Sequence, residues 1–199
     1  MTLPEHAICS ALLAQFGVRQ RLGTAGVVIV TVAGVAPDLD VVSKLFGDFY
    51  FWKLHHALGH NVIAIVVLSA VIASIGRFAA GVRPFGYLFG WCCIAAFVHC
   101  LTDTLYWFAV KPFWPISQIE VSFDILEYLD LIVLAIWFGG AVCLYKTSKP
   151  VRVAGTVFGI LTGYVALRAI LPAPTGLLKL ITGDWMYAAP KDTPVLDWW

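Results

Sequence analysis

All five histidines of the 199-residue chain fall before residue 100, and aspartates accompany them at spacings that suit a metal ion. His99 and Asp103, in Val98-His-Cys-Leu-Thr-Asp103, stand four apart, so a helix puts both on one face, as two ligands of one ion require. Asp38 and Asp40 occur in Ala36-Pro-Asp-Leu-Asp40, where Pro37 helps to end a helix. His55, His56 and His60 crowd into Leu54-His-His-Ala-Leu-Gly-His-Asn61, and His6 opens the first apolar segment. Taken singly, each has a plain structural explanation: a polar pair in a bundle, a turn with its cap, an interfacial loop. Taken together, they bring imidazole and carboxylate to one end of the expected helices, and ionisable groups at membrane depth are costly enough to mark a function.

The expected metal ligands are His6, Asp38, Asp40, His55, His60, His99 and Asp103. A tetrahedral zinc takes four ligands, so two or more ions are expected. Imidazole and carboxylate without thiolate suit zinc first, with manganese or iron as alternatives. Cys9, Cys92, Cys93, Cys100 and Cys143 lie in apolar stretches without a C-x-x-C pair and read as small buried hydrophobes. Paired ions of this kind acidify water and stabilise both oxygens of a phosphoryl displacement, so hydrolysis is the favoured chemistry. Asp40 or Asp38 is the expected proton acceptor, and His56 and Lys53 are expected to neutralise a phosphate. Tyr106, Trp107 and Trp114 are expected to wall the pocket against acyl chains.

The elements that position these residues are apolar helices. The chain is 60% hydrophobic and 13% charged with mean hydropathy +0.86, which excludes a soluble globular domain. A net charge of +1 without a basic run excludes nucleic acid as a partner. Apolar segments at roughly 7–18, 23–37, 61–76, 85–110, 126–145 and 152–171 predict an all-α, polytopic transmembrane bundle of about six segments. The first two are short and could be thin crossings or a re-entrant hairpin. The whole reads as one domain, with the metal-site region in 1–120, two further helices and a surface tail in 121–199. Arg19, Arg21, Arg77, Arg83, Lys146, Lys149 and Arg152 fall on one side, and Lys44, Lys53, Lys111, Lys179 and Lys191 on the other. The first set is expected to be cytoplasmic, which puts the histidines on the non-cytoplasmic face of the cell's inner or plasma membrane. MTLPEHAICSALLAQFG lacks the basic start and cleavage pattern of a signal peptide, so His6 is expected in the mature protein. Arg168, a stray charge in the last segment, is expected to snorkel or to pair with an acid such as Asp130.

The order and spacing of these motifs resemble the YdjM-like inner-membrane proteins. The resemblance covers roughly residues 1–120 and rests on His6, on Pro37-Asp-x-Asp40, on His55-x-x-x-x-His60, on His99-x-x-x-Asp103 and on Trp114-Pro115. It implies a metal-dependent hydrolase, and by further analogy a likeness to helical zinc-dependent phospholipase C and P1 nuclease, which act on phosphoesters at multinuclear zinc sites. Where the family often reads His-Arg-Gly-x-Thr-His-Ser, this chain reads His55-His-Ala-Leu-Gly-His-Asn61, so His56 takes the Arg-like position. The soluble zinc enzymes also carry a later His-x-x-x-Glu. With no histidine after His99, a third ion here would need Glu120 or Glu127.

The expected function is therefore a membrane-embedded metal-dependent hydrolase that cleaves a phosphoester of a lipid or lipid-like substrate at the outer face. The alternative is a metal-ion or proton-coupled transporter, since intramembrane His and Asp also line ion pathways. A third reading is a non-catalytic protein in which metal only ties helices together.

Overall fold

Local chemistry fixes where each helix starts and stops. The computed structural model describes residues 1–127 and 129–171, the side chains of Trp52 and Lys53 excepted. The expected surface tail and the phosphate-facing role of Lys53 lie outside the described residues. At the start of α1 (Leu3–Leu13), the Glu5 carboxylate accepts hydrogen bonds from the backbone N and Oγ1 of Thr2, each 2.7 Å, in a capping box that holds the turn carrying His6. A 3₁₀ turn, Ala14–Phe16, leads into α2 (Val18–Val35), which is kinked at Gly23, where φ is 65°, so that a short polar stretch carrying Arg19, Gln20 and Arg21 precedes the apolar helix. At Ala36 the chain tightens into an 11-residue 3₁₀ helix, Ala36–Phe46, with Pro37 in its first turn, and then forms the short α3 (Asp48–Leu54).

α4 (Val62–Ala79) is capped by Asn61, whose Oδ1 accepts from the Ala64 amide at 2.8 Å. The Asn61 Nδ2 donates to the carbonyls of Ala57 and Leu58, at 2.7 and 3.0 Å, and so ties the histidine-rich turn to the helix that follows it. α5 (Phe85–Asp103) stops seven residues short of the apolar run that predicts it. Beyond Asp103 the chain turns and bonds to itself across the end of the bundle, through Val110 with Val121, Phe123 with Thr104 and Ile125 with Leu105. α6 (Leu131–Lys146) likewise starts late, where Asp130 Oδ1 caps the amides of Ile132 and Val133. α7 (Pro150–Ile170) completes the described chain. Among the described residues four runs are long and apolar enough to cross a membrane: Val18–Phe46, Val62–Ala79, Phe85–Asp103 and Pro150–Ile170. α6 is a shorter apolar helix, and α1 packs against α2 and α6.

Among the described residues two large cores hold the bundle, beside a small cluster of Ile65, Ala96 and Cys100. α1, α6 and α7 bury Cys9, Leu12, Val133, Trp137, Ala154, Val157 and Leu161. α2, α4 and α5 bury Val18, Val30, Ala33, Ala73, Leu88, Cys92 and Ala95. Small residues dominate the second core because lipid tails are as apolar as leucine, so close backbone packing drives membrane helices together. The outward faces, with Val66, Val71, Ile75, Val142, Ile160 and Leu167 exposed, are apolar as a lipid-facing surface must be. The all-α polytopic fold expected from hydropathy is the fold observed.

α7 is pinned to α6 by a buried polar contact. Asp130 Oδ2 accepts from the Tyr164 hydroxyl at 2.6 Å and lies 3.4 Å from Arg168 Nη1. Arg168 thus takes the pairing expected for it. Asp130→Ala removes a helix cap and leaves a half-buried guanidinium without its carboxylate, and is expected to cost about 3 kcal/mol, read as a lower Tm in detergent. Asp130→Asn, which can still cap, is expected to cost less.

Candidate metal centre

The site is assembled by four elements that meet at one end of the bundle. α1 presents His6 one residue after its capping box, and α5 presents His99 and Asp103 on one face at its last turn. The 3₁₀ helix presents Asp38 and Asp40, and the turn between α3 and α4 presents His55, His56 and His60. All of these residues except Asp38 and His55 are buried.

Hydrogen-bond partners assign the tautomers. His99 Nδ1 lies 2.7 Å from the Gly34 carbonyl oxygen, which can only accept, so Nδ1 carries the proton and Nε2 presents a lone pair. His60 Nδ1 lies 2.9 Å from Asp40 Oδ2 and donates to it, so a neutral His60 also presents a lone pair at Nε2. These two Nε2 atoms are 3.1 Å apart. Around them stand Asp103 Oδ2, 3.3 Å from each, and Asp38 Oδ1, 3.4 Å from His99 and 3.6 Å from His60. Four acceptor atoms therefore face one small volume with no donor of their own, which only a cation or added protons can reconcile. Zinc bonds to N and O of about 2.0–2.1 Å place tetrahedral ligand atoms about 3.3 Å from one another, and the observed separations bracket that value.

The cluster extends on both sides. His6 Nε2 sits 3.1 Å from Asp103 Oδ1 but is misaligned for a hydrogen bond, and both His6 ring nitrogens are buried without a partner. Its ring stacks on His99 at 3.6 Å between centroids. Asp103 Oδ1 also accepts from the Met1 amino group at 2.7 Å. His6, Asp38, His99 and Asp103 form one group whose ligand atoms all lie within 4.8 Å of one another, and His56, His60 and Asp103 form a second. Asp103 belongs to both.

Asp40 stands outside those groups and organises them. Its carboxylate accepts from His55 Nδ1 at 2.6 Å, His60 Nδ1 at 2.9 Å, and the amides of His56 and Gly59 at 3.0 and 3.4 Å. Such a carboxylate fixes the tautomer and aim of an imidazole. His56 adopts a left-handed backbone, φ 63°, that serves this contact, and its ring packs against His60 and Phe108. His55 stacks on Phe51 and belongs to neither ligand group.

Two glycines that the sequence does not advertise make these approaches possible. A side chain at Gly34 would strike Ser10 and crowd Ala95, holding α1 and α5 away from the carbonyl that orients His99. One at Gly59 would strike the Pro37 carbonyl and lift the histidine turn off the 3₁₀ helix. Glu120 instead pairs with Lys111 at 3.2 Å, and neither it nor Glu127 joins a ligand group. Tyr106 is buried among core residues of α1 and α6, one ring removed from the site through its stack with Phe108. Phe108, which carried no sequence signal, is the aromatic side chain that touches His56.

An all-α integral membrane protein whose helices converge on a His/Asp cluster at one end is the class these features define. The chain belongs to the YdjM inner membrane protein family, whose model matches residues 1–173. That match runs past residue 120 and takes in α6 and α7. The chain is also similar to the uncharacterized protein YfhP of Bacillus subtilis (strain 168), at 26% identity over 153 residues, covering 73% of this chain. It spans 45% of that relative's length. No solved structure matches it significantly.

Protonation competes with any ion at this site. Burial alone would lower His60, but hydrogen bonds to Asp103, Asp38 and Asp40 outweigh it and hold its pKa well above the ordinary imidazole value. Burial, helped by His60 and His55, pushes His56 down to about 2 and keeps it neutral. At neutral pH a divalent ion must therefore displace a proton from His60 but none from His56. Zinc affinity is expected to rise with pH from about 6 to 8, with protons released as the ion binds. Calorimetry in buffers of different ionisation enthalpy measures that release, and a pH-independent affinity would contradict it.

Proposed function

We propose that this protein is a membrane-embedded metal-dependent hydrolase that cleaves a phosphoester of a lipid or lipid-like substrate. The observation that carries the reading is the convergence of four acceptor atoms, from His60, His99, Asp38 and Asp103, at separations that suit one divalent ion, with His6 and His56 beside them. His60, His99, Asp38 and Asp103 would hold one ion, and His6 and His56, each grouped with Asp103, stand beside it for a second. Zinc is the first choice for so mixed a donor set, with manganese or iron next. When bound, such ions supply an activated water and neutralise charge on a phosphoryl group.

The protein's own groups have separable tasks in this scheme. Asp40 keeps His60 and His55 oriented and their turn closed. Asp38, 13% exposed where Asp40 and Asp103 are 1%, is the carboxylate at the open edge and the one placed to receive a proton from an incoming water. Mixed imidazole and carboxylate donors for paired ions support phosphoester chemistry, since such ions stabilise both oxygens of a phosphoryl displacement. The charge distribution supports a site on the non-cytoplasmic face: Arg19, Arg21, Arg77, Arg83, Lys146, Lys149 and Arg152 all lie at the helix ends opposite the cluster.

A transporter needs ionisable groups along a route to the other face. Among the described residues, the buried polar side chains of the opposite half are Gln15 and the mid-helix Ser69, with no buried acid or histidine there. That distribution favours chemistry at one face over passage through the bundle.

The test is turnover of phospholipid mixtures by detergent-purified protein, followed as released phosphate or headgroup. Activity is expected to vanish on chelation and to return with zinc or manganese. Asp40→Asn, which weakens an orienting contact, is expected to lower metal affinity about 10–100-fold and to recover turnover in excess metal. Asp38→Asn is expected to stay inactive at any metal concentration. Metal-loaded protein that hydrolyses no phosphoester would contradict the enzyme reading and favour a metal that only ties helices together.

A further inference from the structure

The 3₁₀ helix Ala36–Phe46 repeats every three residues, and its edges differ in kind. Pro37, Asp40 and Ser43 form one register, and all three are buried. Leu39, Val42 and Leu45 form another and are 60, 50 and 83% exposed, with Phe46 following at 72%. An amphipathic segment of this kind lies with its apolar edge at the boundary between headgroups and acyl chains. The surface is continuous with an established one: the 3₁₀ helix packs beside α4, whose exposed Val62, Ile63, Val66 and Val67 face lipid.

The same segment forms the open edge of the His/Asp cluster. Among the cluster's carboxylates and imidazoles, those more than a tenth exposed are Asp38, at 13%, and His55, at 22%. Asp38 adjoins Leu39, and His55 follows directly on α3. A substrate reaching the cluster by this edge passes an apolar border, not an aqueous mouth. Lys44 lies on that border with its Nζ 5.5 Å from the Phe51 ring centre, where it offers a cation to an anionic head.

We infer that the segment 39–50 is an interfacial hairpin immersed in the outer leaflet. Past its edge a bilayer-resident amphiphile, an anionic phosphate head on a hydrocarbon tail, reaches the Asp38 and His55 side of the cluster sideways from the membrane. The head-group chemistry rests on the phosphoesterase reading and the choice of leaflet on the charge distribution, whereas the immersion rests on the geometry of the hairpin.

The test is depth measurement by nitroxide labelling at Leu45→Cys, in protein with Cys93 and Cys143 replaced by serine, reconstituted in phosphatidylethanolamine and phosphatidylglycerol liposomes. The label is expected to be open to oxygen and shielded from a water-soluble nickel chelate, as a label at Ile63→Cys would be. Nickel accessibility equal to that of a label at Ser148→Cys would overturn the proposal. The second variant is Leu45→Asp, expected to keep its metal content and its turnover of soluble bis(p-nitrophenyl) phosphate while losing about tenfold or more on phospholipid in liposomes. Equal loss on both substrates would also overturn it. Wild-type protein inactive on both would sink the phosphoesterase reading alone, because the label depth still decides whether the hairpin is immersed.

Discussion

Two imidazole nitrogens 3.1 Å apart, each left with a lone pair in the neutral ring because the other ring nitrogen donates behind it, set the terms for the rest of the molecule. The Gly34 carbonyl accepts a hydrogen bond from His99 Nδ1 and Asp40 accepts one from His60 Nδ1, so with both rings neutral the facing Nε2 atoms and the oxygens of Asp38 and Asp103 have only electron pairs to offer one another. In a low-dielectric interior such a constellation is expensive unless positive charge balances it. The surrounding structure keeps it in place: a capping box before His6, a glycine at the α1, α2 and α5 crossing, a carboxylate hub under the histidine turn, and an asparagine that bolts the turn to α4. None of these adds to the apolar core, and their shared geometric consequence is the aim of the ligand atoms.

The sequence made much of this legible. Apolar runs located every membrane-length helix, because lipid demands continuous hydrophobicity and charge cannot hide within it. His99-x-x-x-Asp103 was readable as a pair since helical periodicity alone puts both on one face. The roles within the histidine turn were not readable. His55, His56 and His60 look equivalent on paper, and only the fold sends His60 to the centre, His56 beside it and His55 back to Asp40. Asp40 and Asp38, two residues apart, also separate only in three dimensions, because the chain there is a 3₁₀ helix and not the turn that Pro37 suggested.

Boundaries were missed where polar side chains acted on backbone. Asp130 delayed α6 by capping it, and the self-bonded loop after Asp103 cut α5 short although its residues remain apolar. Gly34 and Gly59 gave no signal, since a glycine's importance lies in what another chain segment places where its side chain would be. The long-range pairing of Arg168 with Asp130 was readable because a lone charge in an apolar helix has few ways to be tolerated.

A His/Asp cluster at one end of the bundle, with Arg19, Arg21, Arg77, Arg83, Lys146, Lys149 and Arg152 at the other, gives the protein two unlike ends, joined by helices whose exterior is apolar. The central claim is that the cluster holds divalent metal. The most direct measurement is metal content per chain by mass spectrometry, on protein purified without chelators, beside a His99→Ala, Asp103→Ala double variant of matched helicity. The account predicts about two zinc or manganese ions in the wild type and a marked loss in the variant. Metal-free wild-type protein that also fails to take up zinc on titration would contradict it, and would leave protons as the charge that balances the four acceptors.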